Sequence, residues 1–365
     1  MRATVKSIAD IYALRFQSCT YDAVAVDVRT LKYDGVLQYA IKYAFWALKL
    51  GGILTLIDEG SKDDGVSNRR LDFWQVKHEL FKGVKSAAEV MRLDNAEGVL
   101  VVKKVQDPYR NDGFSFGIIF SGNQQEIPFL TQSVRSILDS AATSPLPFEI
   151  IVCGPSSFDF SALTAEFGSA QFRYHAFDFD PANKRVMIAA KKAELYLQCQ
   201  FNVVAINHTR ILYAADFTER VAGRKFDAFI PRVDAFHGGH QIRYLDYSLL
   251  ESYNMAAVPR YRSISASMID GDFLYSLKRR VPYMDGGINV FNKATIDFNP
   301  FCPHIAWGEG EDIMTANMLT ASGALIDYFD DILCTSSTVK IAVLTSPVAL
   351  FKQKLKKALV RRGLY

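Results

Sequence analysis

The sequence predicts an α/β protein, and three observations carry that prediction. Val- and Ile-rich runs of six to eight residues, short enough for buried strands, recur along the chain. Amphipathic stretches with apolar residues at three- and four-residue spacing separate them. Turn-forming residues punctuate the joins. Strands buried on both faces and alternating with helices imply a parallel sheet covered by helices.

Taken in order, residues 21–28 (YDAVAVDV) read as a buried strand. Residues 33–50 follow as an amphipathic helix, with Val36, Leu37, Ala40, Ile41, Ala44, Phe45 and Leu48 on its apolar face and Gly51-Gly52 closing it. Residues 52–58 (GILTLID) form a second strand, 74–81 a helix and 98–104 (GVLVVKK) a further strand. Residues 107–113 (DPYRNDG) carry turn formers without periodicity and mark a linker. Beyond it come a strand from Phe114 (FSFGIIF), a glycine-containing loop and a helix over 128–140. Strands at 148–153 (FEIIVC), 201–206 (FNVVAI) and 226–231 (FDAFIP) follow, with a helix over 184–197. The 365 residues exceed what one compact core needs, so the chain is divided as 1–107, 113–335 and a tail at 336–365.

Composition bounds the function. The chain is 49% hydrophobic and 22% charged, which excludes disordered, collagenous and disulfide-knot classes. After Asp331 there is no acidic residue, while Lys340, Lys352, Lys354, Lys356, Lys357, Arg361 and Arg362 follow. Taking those seven from the 42 bases leaves 35 against 39 acids, so the body is slightly acidic and nucleic acid is not an expected partner. Val348, Phe351, Leu355, Ala358 and Leu359 share one helical face amid these bases, which suits the tail to an anionic membrane surface or, equally simply, to packing on the body. Cys19, Cys153, Cys199, Cys302 and Cys334 are scattered and odd in number, predicting a reducing compartment without zinc knuckle or disulfide framework. Neither a secretory signal nor an apolar stretch of about 18 residues is visible, so the expectation is a cytoplasmic protein, peripheral to the inner face of the membrane if the tail binds there.

The segment AFWALKLGGILTLIDEG, with YDAVAVDV ahead of it, resembles the later half of class I S-adenosylmethionine-dependent methyltransferases. The glycine-rich loop that holds the cofactor in that family has no counterpart, because the twenty residues before it contain no glycine. The resemblance therefore implies a truncated, partial Rossmann domain that binds no S-adenosylmethionine and could serve a homodimer.

From Phe114 to about residue 330 the order of elements resembles glycosyltransferases of the A-type fold, a Rossmann-like mixed sheet, and their large family-two group above all. FGIIFSGNQQEIPFLTQSVRSIL corresponds to the opening strand, loop and helix, which implies that Phe120, Ser121, Gly122 and Asn123, with Glu126 beside them, touch the nucleotide. A plain strand-to-helix turn is the competing reading. IIVCGPSSFD places Asp159 as the acidic residue near the base. ANKRVMIAAKKAELYLQCQFNVVAINHTRIL corresponds to the strand delivering metal ligands, with Asn207, His208 and Arg210 at its end. Thr209 stands where that family carries an Asp, and a hydroxyl is a poor ligand for a hard cation. Either manganese or magnesium is held differently, with His208 and His304 as candidate ligands, or Lys184, Arg185 and Arg210 neutralise the diphosphate.

YMDGGINVFNK and WGEGEDIMTANML resemble the acceptor-side strand and the turn opening the next helix, with Gly286, Gly287 and Trp307 on the acceptor side. The resemblance makes Asp312 the base, with Glu311 beside it and Glu309 a further carboxylate. An acidic helix start is the plainer reading. DAFHGGHQIRYLDY, with His237, His240, Arg243 and Asp246, reads as an acceptor loop or a source of a late metal ligand. The expected activity is inverting transfer of a sugar from a nucleotide-sugar donor to a glycan or lipid-linked acceptor in polysaccharide biosynthesis. The alternative is a catalytically inactive scaffold of the same fold.

Overall fold

The computed structural model describes residues 1–31, 36–58, 69–142, 144–168, 171–180, 187–237, 240–245, 247–251, 263–265, 273–277, 280–284, 286–305, 310–338 and 355. The class is mixed α/β, as expected. The first sheet is built from β1 (Arg2–Val5), β2 (Tyr21–Asp27), β3 (Leu48–Ile57), β4 (Ala88–Asp94) and β5 (Val99–Lys104), in the order β1-β2-β3-β5-β4. Helices α1 (Ile8–Arg15), α2 (Val28–Leu31), α3 (Leu37–Ala47) and α4 (Arg69–Val84) accompany it. Ser7 caps α1 in a reciprocal box with Asp10.

Two sequence expectations are corrected here. β1, β2 and β3 are parallel, but β5 runs antiparallel to both β3 and β4; a tight turn at 95–98 joins β4 to β5 and leaves no room for a crossover between those two. Gly51-Gly52 does not close the helix. Helix α3 ends at Ala47 and the chain passes straight into β3, with Gly51 at φ +80° inside the strand. A Cβ at Gly52 would meet the Lys49 carbonyl oxygen at 2.9 Å, so glycine permits this kinked start.

The second sheet holds β6 (Phe114–Ile119), β7 (Phe148–Gly154), β8 (Phe172–Ala176), β9 (Val203–His208), β10 (Ile211–Tyr213), β11 (Ala228–His237), β12 (His240–Leu245), β16 (Ile288–Asn292) and β17 (Ile326–Ser336). A small separate sheet pairs β13 (Tyr247–Glu251) with β14 (Ser263–Ser265) and β15 (Arg280–Met284). The order β10-β17-β11-β16-β9-β6-β7-β8 is Rossmann-like at one end. There β9, β6, β7 and β8 are parallel, while β16 enters antiparallel between β9 and β11. The chain leaves β6 towards β7 and β8, then returns to β9 on β6's other side, so a topological switch point lies between the carboxyl ends of β6 and β9.

Helices α5 (Ile127–Ala141), α6 (Ser161–Phe167) and α8 (Phe217–Ala222) contribute to one core with Phe116, Ile118, Val134 and Phe217. Helices α7 (Met187–Gln198), α9 (Phe273–Ser276) and α10 (Glu311–Ser322) join the other core, in which Leu195, Val204, Ile206 and Phe291 are continuous with Tyr43 and Phe45 of α3. The first sheet's helical layer is thus packed on the second sheet. Polar groups fix the junction: Tyr39 donates to the Ile326 carbonyl at 2.8 Å, Arg15 and Tyr43 both meet Asp327, and Lys42 pairs with Asp227.

Candidate active site

The carboxyl edge of β6 and β9 is where α7, the strand start at Gly286-Gly287 and the first turn of α10 converge. His208 ends β9, and its backbone amide donates to the Gly287 carbonyl at 3.1 Å. That bond carries the β9–β16 ladder one step beyond Ile288 opposite Asn207. One residue further, Gly286 lies against Asp312. A Cβ there would stand 3.0 Å from Oδ1 and 3.1 Å from Oδ2, and the Gly286 amide is hydrogen-bonded to the same carboxylate. The structure therefore brings Gly286, Gly287, His208, Glu311 and Asp312 into one place.

Helix α10 starts at Glu311 after Gly310, which sits at φ +70°. Two carboxylates in the first turn face the free amides and the positive end of the helix dipole. Lys192 of α7, 1% exposed, sets its Nζ 3.1 Å from Glu311 Oε1 and 3.6 Å from Asp312 Oδ1, with the Phe301 ring beneath it at 5.6 Å. Burial raises the Asp312 carboxyl above the ordinary aspartate range, against the pull of Lys192; the neighbouring Glu311 charge pushes the same way as burial. Two buried acceptors, Glu311 Oε2 and Asn289 Oδ1, have no hydrogen-bond partner among the described residues. Asn289 belongs to β16, opposite Ile206.

The neighbouring lysine has another task. Lys191, also 1% exposed, donates to the Phe120 carbonyl at 2.6 Å and so ties α7 to the end of β6. Burial depresses its pKa, while Cys153, Glu126 and Asp178 favour its charge. Neither lysine of this pair was singled out from the sequence. Their signal is a Lys-Lys step in an Ala-rich helix, a pattern usually found on a solvated face.

The donor-side residues divide. Phe120 is fully buried, its ring edge-on to Phe158 at 4.7 Å and its carbonyl taken by Lys191, so it offers no side chain to a donor. Ser121 is exposed, with its amide donating to Glu126 Oε2 at 3.2 Å and its hydroxyl accepting from Asn123. Gly122, at φ +91°, sits where a Cβ would come within 2.5 Å of Pro155. Asn123 accepts from the Gln125 amide at 2.9 Å, starting the short turn that leads into α5. Asp159 is exposed and accepts from the Ser161 amide at 2.9 Å at the start of α6; that bond lowers its pKa. Asp178 instead closes the loop after β7, taking both the amide (2.8 Å) and the hydroxyl (2.6 Å) of Ser156. No local sequence signal marks Asp178, because the contact joins loops 22 residues apart.

Asn207 is a correction. It is fully buried, accepts from the Tyr213 hydroxyl at 2.8 Å and donates towards Ser133 Oγ at 3.3 Å, so its amide is committed to the core beside α5. Arg210 is half-buried, its carbonyl accepting from the Ser337 amide at 2.9 Å. Lys184, Arg185, Trp307, Glu309 and Asp246 lie outside the described residues, as do residues 339–354 and 356–365 of the basic tail. His237 and His240 are backbone partners at the end of the β11–β12 ladder.

His304 is exposed on a turn. Among the described residues no three His, Cys, Asp or Glu side chains are grouped to hold a metal ion, and the ammonium of Lys192 already sits against both carboxylates. The described residues do not fit a resident divalent cation. No helix among them is long and apolar enough to cross a membrane.

No family model matches this chain, and neither does any curated protein. Among solved structures it is similar to Staphylococcus aureus TarS 1-349 in complex with UDP-GlcNAc, at 11% identity and a TM-score of 0.41 over 62% of this chain and 59% of that one. It is also similar to mannosyltransferase PcManGT from Pyrobaculum calidifontis in complex with GDP-Man and Mn2+, at 12% identity and a TM-score of 0.38 over 84% and 69%. A third similar structure is the inositol-1-phosphate CTP transferase from T. maritima, at 10% identity and a TM-score of 0.38 over 68% and 98%. The chain spans less than two thirds of the length of the TarS fragment.

Proposed function

We propose that this chain is a glycosyltransferase that moves a sugar from a nucleotide-sugar donor to a glycan or lipid-linked acceptor with inversion. One observation carries the reading. A half-buried aspartate of raised pKa, Asp312, stands at a helix N-terminus beside the switch point of a Rossmann-like sheet, with a buried lysine 3.6 Å away. Ligands of open α/β sheets bind at such a switch point.

In the proposed step the acceptor hydroxyl gives its proton to the Asp312 carboxylate as its oxygen bonds to the anomeric carbon. The bond from that carbon to the diphosphate breaks, and the nucleoside diphosphate leaves from the opposite face. The raised pKa makes Asp312 a stronger base than an exposed aspartate. Lys192 opposes the rise in the Asp312 pKa and, among the described residues, is a cation placed to meet the departing diphosphate. The exposed loop at Ser121–Asn123, together with Ser156 and Asp178, is the donor wall in this reading.

One observation favours a second reading. The same ammonium is shared by Glu311 and Asp312, and carboxylates so engaged also suit a silent nucleotide-binding scaffold. Calorimetric titration with UDP, GDP and dTDP, with and without manganese, followed by donor hydrolysis on Asp312→Asn, separates the two. Binding together with hydrolysis that collapses in the variant supports the enzyme. Binding without turnover supports the scaffold, and no binding under either condition removes both.

A further inference from the structure

Four polar side chains, none of them part of the candidate active site, meet where three stretches of the chain come together. Cys19 lies in the loop between α1 and β2, Lys104 ends β5 with Asp107 just after it, and Lys225 lies between α8 and β11. Asp107 Oδ2 accepts from Lys104 at 3.2 Å and pairs with Lys225. The Cys19 sulfur is 3.5 Å from Lys225 Nζ and 3.5 Å from that same carboxylate oxygen. A contact between residues 206 positions apart thus joins the part of the chain carrying the first sheet to the part carrying the second.

The sulfur is presented rather than packed. Cys153, Cys199 and Cys334 are buried, and burial pushes their thiols up, the first two to about 12, which keeps them inert. Cys19 is exposed. Its backbone sits in the left-handed region at φ +51°, a conformation that residues other than glycine adopt rarely. Two bonds to the end of α3 hold it there: the Cys19 amide donates to the Trp46 carbonyl at 3.2 Å, and the Thr20 amide to the Ala47 carbonyl at 2.8 Å.

The two lysines differ in freedom. Lys104 is fully buried and donates to the Leu48 carbonyl at 3.0 Å; burial first, and then the charge of Lys225, depresses its pKa. Lys225 reaches solvent, its side chain 13% exposed, and its flexible four-carbon stem lets the nitrogen close on the sulfur. Among the described residues these two ammonium groups share a single carboxylate, Asp107. The charge balance of the cluster therefore has room for a thiolate, the form of sulfur that attacks peroxide.

We propose that Cys19 and Lys225 are a modification site, at which hydrogen peroxide drives a covalent sulfur–nitrogen bridge that ties the two parts of the chain together. The Cys19 sulfur attacks peroxide, the oxygen–oxygen bond breaks, and the thiol proton leaves with the departing hydroxide as water; the sulfur is now a sulfenic acid. The Lys225 ammonium gives one proton to solvent, and its nitrogen attacks that sulfur. The sulfur–nitrogen bond forms, the sulfur–oxygen bond breaks, and the hydroxyl departs as water with a second proton from the nitrogen. Sulfur is oxidised by two electrons and peroxide is reduced by the same two.

The test treats the full chain with hydrogen peroxide at pH 8, alkylates the remaining thiols and reads a tryptic digest by mass spectrometry. The expected product is a peptide pair joining Cys19 to Lys225, lighter by two hydrogens than the separate peptides, uncleaved after Lys225 and split by dithiothreitol. Cys19→Ser should abolish it. Lys225→Arg keeps the charge without the amine, so it should leave a sulfenic acid at Cys19 that dimedone traps. Both side chains reach solvent, and circular dichroism checks that the variants are folded. Because the bridge closes a loop of 206 residues, the oxidised chain should melt about 5 °C above the reduced one, and Cys19→Ser treated in parallel should not. Oxidation of Cys19 without a linked pair, a link through Cys302 or to Lys104 instead, a link that retains oxygen, or an oxidised chain that melts like the reduced one would each overturn the assignment.

Discussion

Gly286 and Asp312 are in contact: the place where a Gly286 side chain would begin is 3.0 Å from one oxygen of the Asp312 carboxylate and 3.1 Å from the other. The same glycine's amide is bonded to that carboxylate. A strand start and a helix start, 26 positions apart in sequence, therefore define one position for an acid group. Gly286→Ala should push the carboxylate aside by a few tenths of an ångström. Transfer depends on such alignment, so turnover should fall about 10- to 100-fold. The melting temperature should change little, because Gly286 is not in the left-handed region. A variant with parental kcat would mean that this carboxylate is not at the reacting centre.

Asp312→Asn keeps the shape and removes the base, so kcat should fall by about 10²- to 10⁴-fold. The variant also carries a stability signature. Burial raises the folded-state pKa of Asp312, so the folded chain holds this proton more tightly than the unfolded one. The carboxyl then weakens the fold increasingly as pH rises from its unfolded pKa near 3.8 through the folded value, and not below. The melting-temperature difference, variant minus parent, should accordingly be more positive at pH 7 than at pH 4. An unchanged difference would remove the buried, raised carboxyl from the account.

Of the parallel strands, β2, β6, β7 and β9 were legible because they are continuous Val, Ile and Phe runs, whereas the short, polar-interrupted β1 and β8 were not. β17 was not, since Asp330 and Asp331 interrupt its apolar residues at a bend that only pairing with β11 explains. The sequence sets Asn207, His208 and Arg210 together at a strand end. The strand in fact continues through His208, and alternate residues of a strand face opposite sides. Asn207 therefore meets Ser133 of α5, and His208 belongs to the side of α7. Asp312 and Gly286 were legible as turn motifs, whereas Lys192 was not, because nothing local distinguishes a lysine aimed at a carboxylate from one in water.

Lys192→Met tests whether that lysine tunes the site or merely fills it. Its charge lowers the Asp312 pKa against burial, so its removal should shift the acid limb of the rate profile to higher pH. KM for the donor should rise as well if Lys192 meets the diphosphate. Lys192→Arg should restore the limb towards its parental position. A profile that stays fixed in the methionine variant would reduce Lys192 to packing against Phe301.

The junction between the sheets yields the largest expected effect on stability. Lys42 and Asp227 are both buried, 5% and 1% exposed, and each is the other's counter-charge. Burial disfavours the ammonium of Lys42, and Asp227 opposes that effect. Lys42→Met leaves Asp227 charged in a dry setting, for a cost of about 3–5 kcal/mol. Neutralising the survivor should recover much of it, because the amide of Asn still accepts from the Leu325 amide that Asp227 now engages at 2.8 Å. Urea unfolding of Lys42→Met and of the double variant Lys42→Met with Asp227→Asn gives the comparison directly. If the double variant is no more stable than the single one, the cost lies in lost side-chain packing beside Trp46 and not in an orphaned charge.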